Sequence, residues 1–273
     1  MMETNNDKKI ILVFYLVTLL ISAVLEGITI ITGCMATILI LMWVPGIVGI
    51  ICSRFFYPKQ NALGLKKFKP RYLLLAILIP NAYLIPSYML SWAILKDPTI
   101  GLDALAYKFT NGLVSDVPST SVLLIAFIPM LILSMMTAAG EELGWRGYAY
   151  PILKRIYGTK KAILINGSIW AVWHMPIILS GQYQSSVNIM YGLISFFVEV
   201  MILAAIFCWS RNASGSVIPA IILHATHNLV DQSYLQPLST NANVPYFSGE
   251  QGFITILMGI LIVMIFWFVE VKG

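Results

Sequence analysis

The sequence predicts an all-α, polytopic integral membrane protein whose transmembrane helices, about eight in number, enclose an intramembrane cavity. Of the 273 residues, 59% are hydrophobic and only 11% are charged, whereas a soluble globular domain carries about 25% charged residues. The chain also contains several apolar runs close to the roughly 20 helical residues that cross the hydrocarbon core of a bilayer. The predicted spans are residues 9–25, 29–51, 73–94, 122–141, 162–180, 187–209, 215–231 and 252–269.

The first span and the connecting segments need separate interpretation. Lys8 and Lys9 precede the first apolar run, as in a signal peptide. The run lacks a small-residue cleavage site and a second span follows closely, so we interpret it as a helix. Segment 53–72 is basic, and segment 95–121 is the longest external loop. Aromatic residues are mixed with Lys154 and Arg155 in 148–157, which favours a short helix at the membrane interface.

The basic residues predict the orientation of the chain. With the amino terminus in the cytoplasm, all but two of the 17 lysines and arginines fall on the cytoplasmic side, the exceptions being Lys96 and Lys108. This distribution satisfies the positive-inside rule and predicts that both termini are cytoplasmic. A prokaryotic plasma membrane is expected rather than the endoplasmic reticulum. The net charge of +5 is explained by anionic lipids of the inner leaflet, so no nucleic-acid partner is expected.

Three groups of polar residues lie inside the apolar runs. They are Glu141 and Glu142 with Arg146, Trp170 with His174, and His224 with Asn228. Ionisable side chains are costly in a bilayer and usually face a protein interior or a water-filled cavity, where they have a function. A carboxylate, imidazoles and an amide are the groups needed to activate a water and to stabilise an oxyanion. The sequence therefore predicts a hydrolase embedded in a membrane.

The spacing within these groups indicates which side chains meet. Arg146 is one helical turn after Glu142 and can pair with it, while Glu141 points about 100° away around the helix. A simpler interpretation, that the glutamates only end a helix, is disfavoured because acidic residues oppose the helix dipole there. His174 and His224 each lie 13 residues after a basic residue, so both could reach one depth, entered from the cytoplasm.

The order of these motifs resembles a known family. The three motifs are similar to those of the CAAX protease and bacteriocin-processing family (CPBP, or Abi), which includes the Ras-converting CAAX endopeptidase. They occur on successive helices in the order Glu-Glu-x-x-x-Arg, aromatic-x-x-x-His and His-x-x-x-Asn. The resemblance implies an intramembrane glutamic endopeptidase with eight helices. It divides the chain into three N-terminal helices with an external loop (1–120), a catalytic core of four helices (121–232) and a C-terminal helix (233–273).

The resemblance also implies roles for individual residues. Glu141 would be the general base for a water, with His174 helping to polarise that water. His224 and Asn228 would donate hydrogen bonds to the oxyanion. The supporting residues would be Glu142, Arg146 and Trp170, the last standing where phenylalanine is common. The expected substrate is a membrane-associated peptide or protein, with a prenylated CAAX-type carboxyl terminus as one option, and no cofactor is expected.

Three alternatives remain at this stage. Glu141, His174 and His224 could hold a zinc ion with water in the fourth position, although there is no His-Glu-x-x-His motif. His227 is expected to be a neighbour of the site rather than a member of it. A non-catalytic immunity or scaffold protein is a second alternative, disfavoured by the intact polar set. A proton-coupled transporter using Glu199 is the third, but no internal repeat is visible. Glu199 is expected to be a buried acid paired with a polar neighbour.

Overall fold

The protein is helical throughout the part of the chain that the structure describes. The computed structural model describes residues 2–34, 36–58, 60–110 and 118–271, and these contain no β-strand, which confirms the all-α prediction. The helices are α1 (Met2–Thr32), α2 (Ala36–Phe56), α3 (Pro70–Leu95), α4 (Gly101–Thr110), α5 (Ser119–Glu142), α6 (Tyr150–Leu179), α7 (Ile189–Ser214), α8 (Ile218–Asn228), α9 (Gln236–Leu238), α10 (Val244–Phe247) and α11 (Phe253–Val271). Two π-helical segments, Leu143–Ala149 and Leu229–Leu235, follow α5 and α8.

Most of the long helices have the length and composition of membrane spans. Among the described residues, five stretches qualify, and Phe253–Phe266 is a shorter apolar helix. One of the five, Ser119–Leu179, is 61 residues long, about 90 Å at 1.5 Å per residue and far more than a bilayer's thickness. The backbone leaves helical geometry at Gly158 (φ 77°, ψ 167°), which allows this stretch to turn. The polytopic membrane fold is confirmed, whereas the number of eight spans and the three-part division stay predictions.

The lipid-facing surface follows from the apolar composition. Leu20, Leu124, Ile125 and Ile194 are each more than 60% exposed. Large exposed apolar areas are unfavourable in water but are the normal outer surface of a helix bundle in a bilayer. The segment 148–157, expected as a short interfacial helix, is helical up to the break at Gly158, but Tyr148 and Tyr150 are buried against the protein.

Glycines allow α2 to pack closely against the end of α5. A Cβ atom on Gly140 would lie 2.6 Å from the carbonyl oxygen of Met42, and one on Gly144 would lie 2.4 Å from the backbone of Pro45. Only residues without a side chain fit at such a backbone approach. This contact fixes the position of the two glutamates that lie between these glycines.

Candidate active site

Glu142 accepts two hydrogen bonds that connect α5 to the rest of the site. Its Oε1 accepts one from Nη1 of Arg146 at 2.9 Å and one from Nδ1 of His224 at 3.0 Å. Glu142 and Arg146 are both completely buried. The pairing expected from the i, i+4 spacing is therefore present, and it extends to a histidine on α8. A π-helical turn begins directly after Glu142, and such turns are frequent at functional sites.

Arg146 also contacts two aromatic side chains, Trp170 and Phe207. Its guanidinium carbon lies 3.9 Å from the ring centroid of Trp170 and 5.0 Å from that of Phe207. Such cation–π contacts stabilise a buried cation by about 2 kcal/mol when water is excluded. Phe207, on α7, is not identifiable as a site residue from the sequence because it stands in a uniformly apolar run.

Trp170 is the residue that joins the three motifs. Its indole Nε1–H donates to Oε2 of Glu141 at 2.7 Å, and its carbonyl oxygen lies 3.0 Å from Nδ1 of His174. Its ring centroid lies 5.8 Å from that of His174 and 5.7 Å from that of His224. The sequence indicated only an aromatic wall at this position. The structure adds a directed hydrogen bond that orients the Glu141 carboxylate.

The acceptors define which nitrogen of each histidine carries hydrogen. The Trp170 carbonyl and the Glu142 carboxylate can only accept, so Nδ1 is the donor in both His174 and His224. The remaining nitrogen, Nε2, is the one available for chemistry. A neutral ring offers a lone pair there, and a doubly protonated ring offers a second N–H.

The four residues assigned to catalysis share one cavity. Glu141, His174, His224 and Asn228 all line a cavity of about 290 Å³. Each water molecule occupies about 30 Å³, so the cavity has room for water beside a peptide group. The cavity lining also includes Trp170, which contacts Arg146, while the lining residue His224 contacts Glu142. The structure therefore brings together the residues that the sequence grouped.

The cavity extends to the end of the bundle where α1 and α6 finish. Its lining there includes Gln182, Tyr183 and Glu250, and Nε2 of Gln182 donates to the carbonyl oxygen of Thr29 near the end of α1. The expectation that the site is entered from the cytoplasm stays a prediction.

A groove between α2 and α5 joins the catalytic cavity from the side. It has a volume of about 410 Å³ and shares Ile38, Met42, Asn228 and Gln232 with the cavity. Its outer wall includes Leu133, which is 44% exposed on the lipid-facing surface. The groove therefore lies between the exposed apolar surface and the catalytic cavity.

Three further acidic residues, Glu26, Glu199 and Glu250, line the cavity. Glu250 was not anticipated, although it is the only acidic residue in the segment before α11. Glu199 is 1% exposed, and neither of its carboxylate oxygens has a hydrogen-bond partner among the described residues. The expectation that Glu199 is paired with a polar neighbour is therefore wrong. His227 does neighbour the site, and its Nδ1 lies 2.6 Å from the hydroxyl of Tyr83.

A helical membrane bundle that holds a carboxylate, two imidazoles and an amide around one buried cavity has the features of an intramembrane hydrolase. The profile of the family described as type II CAAX prenyl endopeptidase Rce1-like matches residues 123–230, which include all seven residues of the three motifs. The chain is also 32% identical over 204 residues to CAAX prenyl protease 2 of Methanococcus maripaludis, covering 70% of this chain and 72% of that protein. The chain belongs to the Rce1-like CAAX prenyl endopeptidase family and is a peptidase.

Proposed function

We propose that this protein is an intramembrane endopeptidase in which Glu141 activates the attacking water. The observation that carries this proposal is the shared cavity of Glu141, His174, His224 and Asn228. Family membership as a peptidase also favours this function over a non-catalytic membrane protein or a transporter.

Glu141 is the general base in this proposal. Trp170 occupies its Oε2, so Oε1 is left to accept a proton from a water in the cavity. The lone pair on Nε2 of neutral His174 orients the same water. The water oxygen attacks the peptide carbonyl carbon while its proton passes to Glu141. The carbon–nitrogen bond then breaks, and Glu141 returns the proton to the leaving nitrogen.

Asn228 and His224 stabilise the oxyanion. The Asn228 amide can donate directly into the cavity that it lines. His224 donates its Nδ1–H to Glu142, so Nε2 can donate to the oxyanion only when the ring is doubly protonated. The Glu142 carboxylate, held by Arg146, stabilises that cation. Loss of one oxyanion donor costs on the order of 100- to 1000-fold in rate.

The catalytic water is activated without a metal in this proposal. The rival arrangement would use Glu141, His174 and His224 as zinc ligands. Among the described residues, the His, Cys, Asp and Glu donor atoms that lie close enough together to share an ion belong to His227, Asp231 and Glu250, which supports a metal-free catalytic site.

The proposed substrate is a membrane-associated peptide that carries a prenylated CAAX-type carboxyl terminus. The archaeal relative is named a CAAX prenyl protease. In this chain, the lateral groove would hold the lipid chain between α2 and α5, and its junction with the cavity at Asn228 would place the peptide beside Glu141. The basic residues further support cytoplasmic termini, and the archaeal source of the relative supports a prokaryotic plasma membrane.

The purified protein in detergent should be assayed with matched prenylated and unmodified peptides, using Glu141→Ala as the inactive control. Leu133→Trp narrows the groove, whereas Leu124→Trp on the same helix projects from its 73% exposed position into lipid. We expect Leu133→Trp to raise KM for the prenylated peptide about tenfold, equivalent to 1.4 kcal/mol of lost binding, and Leu124→Trp to leave it unchanged. Equal cleavage of both peptides by all three active proteins would contradict the proposed substrate.

Individual roles can be separated by substitution within the cavity. Asn228→Ala should retain slow turnover because it removes transition-state stabilisation but leaves the base and the water. His174→Ala should be at least as damaging, because a base that loses the group orienting its water often fails as a unit. Wild-type turnover by Asn228→Ala would exclude it from the oxyanion site.

A further inference from the structure

A second cluster of ionisable side chains lies at the far end of the catalytic cavity. His227, Asp231, Glu250 and Glu199 are all buried, with exposed fractions between 1% and 6%. The ion pairs of the described residues connect none of these three carboxylates to a lysine or arginine; His227 is the only basic group beside them. When ionised, these carboxylates outnumber the one imidazole, and buried carboxylates are paired, protonated or bound to a metal ion.

Two atoms of this cluster are buried and lack hydrogen bonds. Within the described part of the chain, Nε2 of His227 and Oδ2 of Asp231 have no hydrogen-bond partner. The Oε1 atom of Glu250 lies 3.6 Å from Nε2 of His227, beyond hydrogen-bond range. Leaving such buried atoms unsatisfied costs about 1–3 kcal/mol each. Both atoms are of types that bind metal ions.

The spacing of the donor atoms fits a single ion. One donor atom from each of His227, Asp231 and Glu250 lies within 4.8 Å of the other two. Zinc bonds to nitrogen and oxygen are about 2.0–2.2 Å, so adjacent ligands of a tetrahedral ion are separated by about 3.4 Å. The 3.6 Å between His227 and Glu250 is close to this value. A small movement of Asp231 would complete the three-ligand set.

The atoms behind the donors are held as in known metal sites. The Tyr83 hydroxyl lies 2.6 Å from Nδ1 of His227, and the Tyr88 hydroxyl donates to Oδ1 of Asp231 at 2.7 Å. These bonds use Nδ1 of His227 and Oδ1 of Asp231. They therefore orient the other two atoms, Nε2 of His227 and Oδ2 of Asp231, toward the remaining ligands. Metal-binding histidines and carboxylates are usually oriented by such outer hydrogen bonds.

We propose that His227, Asp231 and Glu250 bind one divalent transition-metal ion, of which zinc is the representative. An imidazole with two carboxylates suits such an ion, and the two acidic groups neutralise its charge. This site is separate from the rival zinc arrangement at Glu141, and it does not depend on the catalytic roles proposed above.

The ion would be a structural link beside the catalytic cavity. His227 and Asp231 belong to α8 and its π-helical extension, which also carry His224 and Asn228, whereas Glu250 precedes α11. The ion would therefore fix the helix that carries the proposed oxyanion donors. Glu250 lines both the catalytic cavity and a neighbouring cavity of about 390 Å³, so the ion would lie in the wall between them.

Metal content of matched variants tests this site. The full-length protein in detergent is stripped with a chelator, loaded with zinc, freed of excess zinc and measured by elemental analysis. We expect about one zinc per chain in the wild type and in Glu141→Gln, and a large loss in Asp231→Asn and His227→Gln. Zinc should raise the thermal midpoint of the wild type and of Glu141→Gln, and leave that of Asp231→Asn unchanged.

The zinc content of these proteins also shows which results would contradict the proposed site. Failure of the stripped, folded wild type to retain zinc would overturn the proposal. Retention of zinc by Asp231→Asn with loss from Glu141→Gln would assign the ion to the catalytic residues instead. If His227→Gln does not fold, X-ray absorption of the zinc-loaded wild type provides an independent test. One imidazole with oxygen ligands supports the site, and two imidazoles contradict it.

Discussion

Replacing Glu142 by glutamine tests whether this buried carboxylate supports both the fold and the chemistry. The substitution preserves shape and one acceptor oxygen but removes the charge that faces Arg146 and His224. Both hydrogen bonds to Glu142 are at 3.0 Å or less, and Glu142 and Arg146 are fully buried. The change therefore leaves the arginine charge without its counter-charge inside the bundle.

The size of the effect follows from these contacts. A hydrogen bond to a charged group contributes about 1.5–3 kcal/mol, and breaking a buried ion pair by removing one partner costs about 3–5 kcal/mol. Because glutamine retains an acceptor, we expect a loss of about 3 kcal/mol in the free energy of unfolding. Turnover should fall about 100-fold, since His224 loses the carboxylate that stabilises its cationic form.

Denaturant unfolding in detergent and single-turnover kinetics measure the two effects separately. The matched variants are Arg146→Met and the double variant Glu142→Gln/Arg146→Met. An apolar replacement of a buried ion pair is often neutral, so the double variant should recover most of the stability. It should not recover turnover, because His224 still lacks its partner. Wild-type stability and turnover in Glu142→Gln would refute the pairing, and recovery of turnover in the double variant would refute the catalytic link.

Three further predictions concern packing, pH and topology. Gly140→Ala should destabilise the protein by about 1–3 kcal/mol in the same unfolding assay, because its Cβ meets the α2 backbone, whereas Gly27→Ala, where the Cβ meets nothing within 4 Å, should not. Partial burial raises the pKa of Asp97, but hydrogen bonds, chiefly from backbone N–H groups, outweigh it and hold that pKa below its ordinary value. The stabilisation is therefore complete above about pH 4 and is lost as the pH falls, so thermal midpoints measured from pH 6 to 3 should drop more for the wild type than for Asp97→Asn. Reporter fusions in segments 96–110 and 154–161 should report opposite sides of the membrane, and a common side would refute the predicted orientation.

The sequence was informative where one physical constraint dominates. The cost of placing Glu141, His174 or Asn228 in hydrocarbon requires a shared polar cavity, and the structure contains that cavity. Helical spacing alone predicted the bond between Glu142 and Arg146.

The remaining features depend on long-range packing, which periodicity does not encode. The hydrogen bond from Trp170 to Glu141 joins residues 29 positions apart. The cluster of His227 with Glu250 requires the segment before α11 to fold back over α8. No local pattern distinguishes these side chains from ordinary core residues.

The most direct test of the proposed mechanism is turnover by Glu141→Gln. Glutamine keeps an oxygen that can accept the Trp170 hydrogen bond but lacks the basic oxygen that takes the proton from water. A general base contributes about 100- to 10,000-fold to the rate. We predict that this variant folds and binds the peptide substrate with wild-type affinity while turnover falls by at least that lower factor. Full turnover by Glu141→Gln would contradict the assignment of Glu141 as the base.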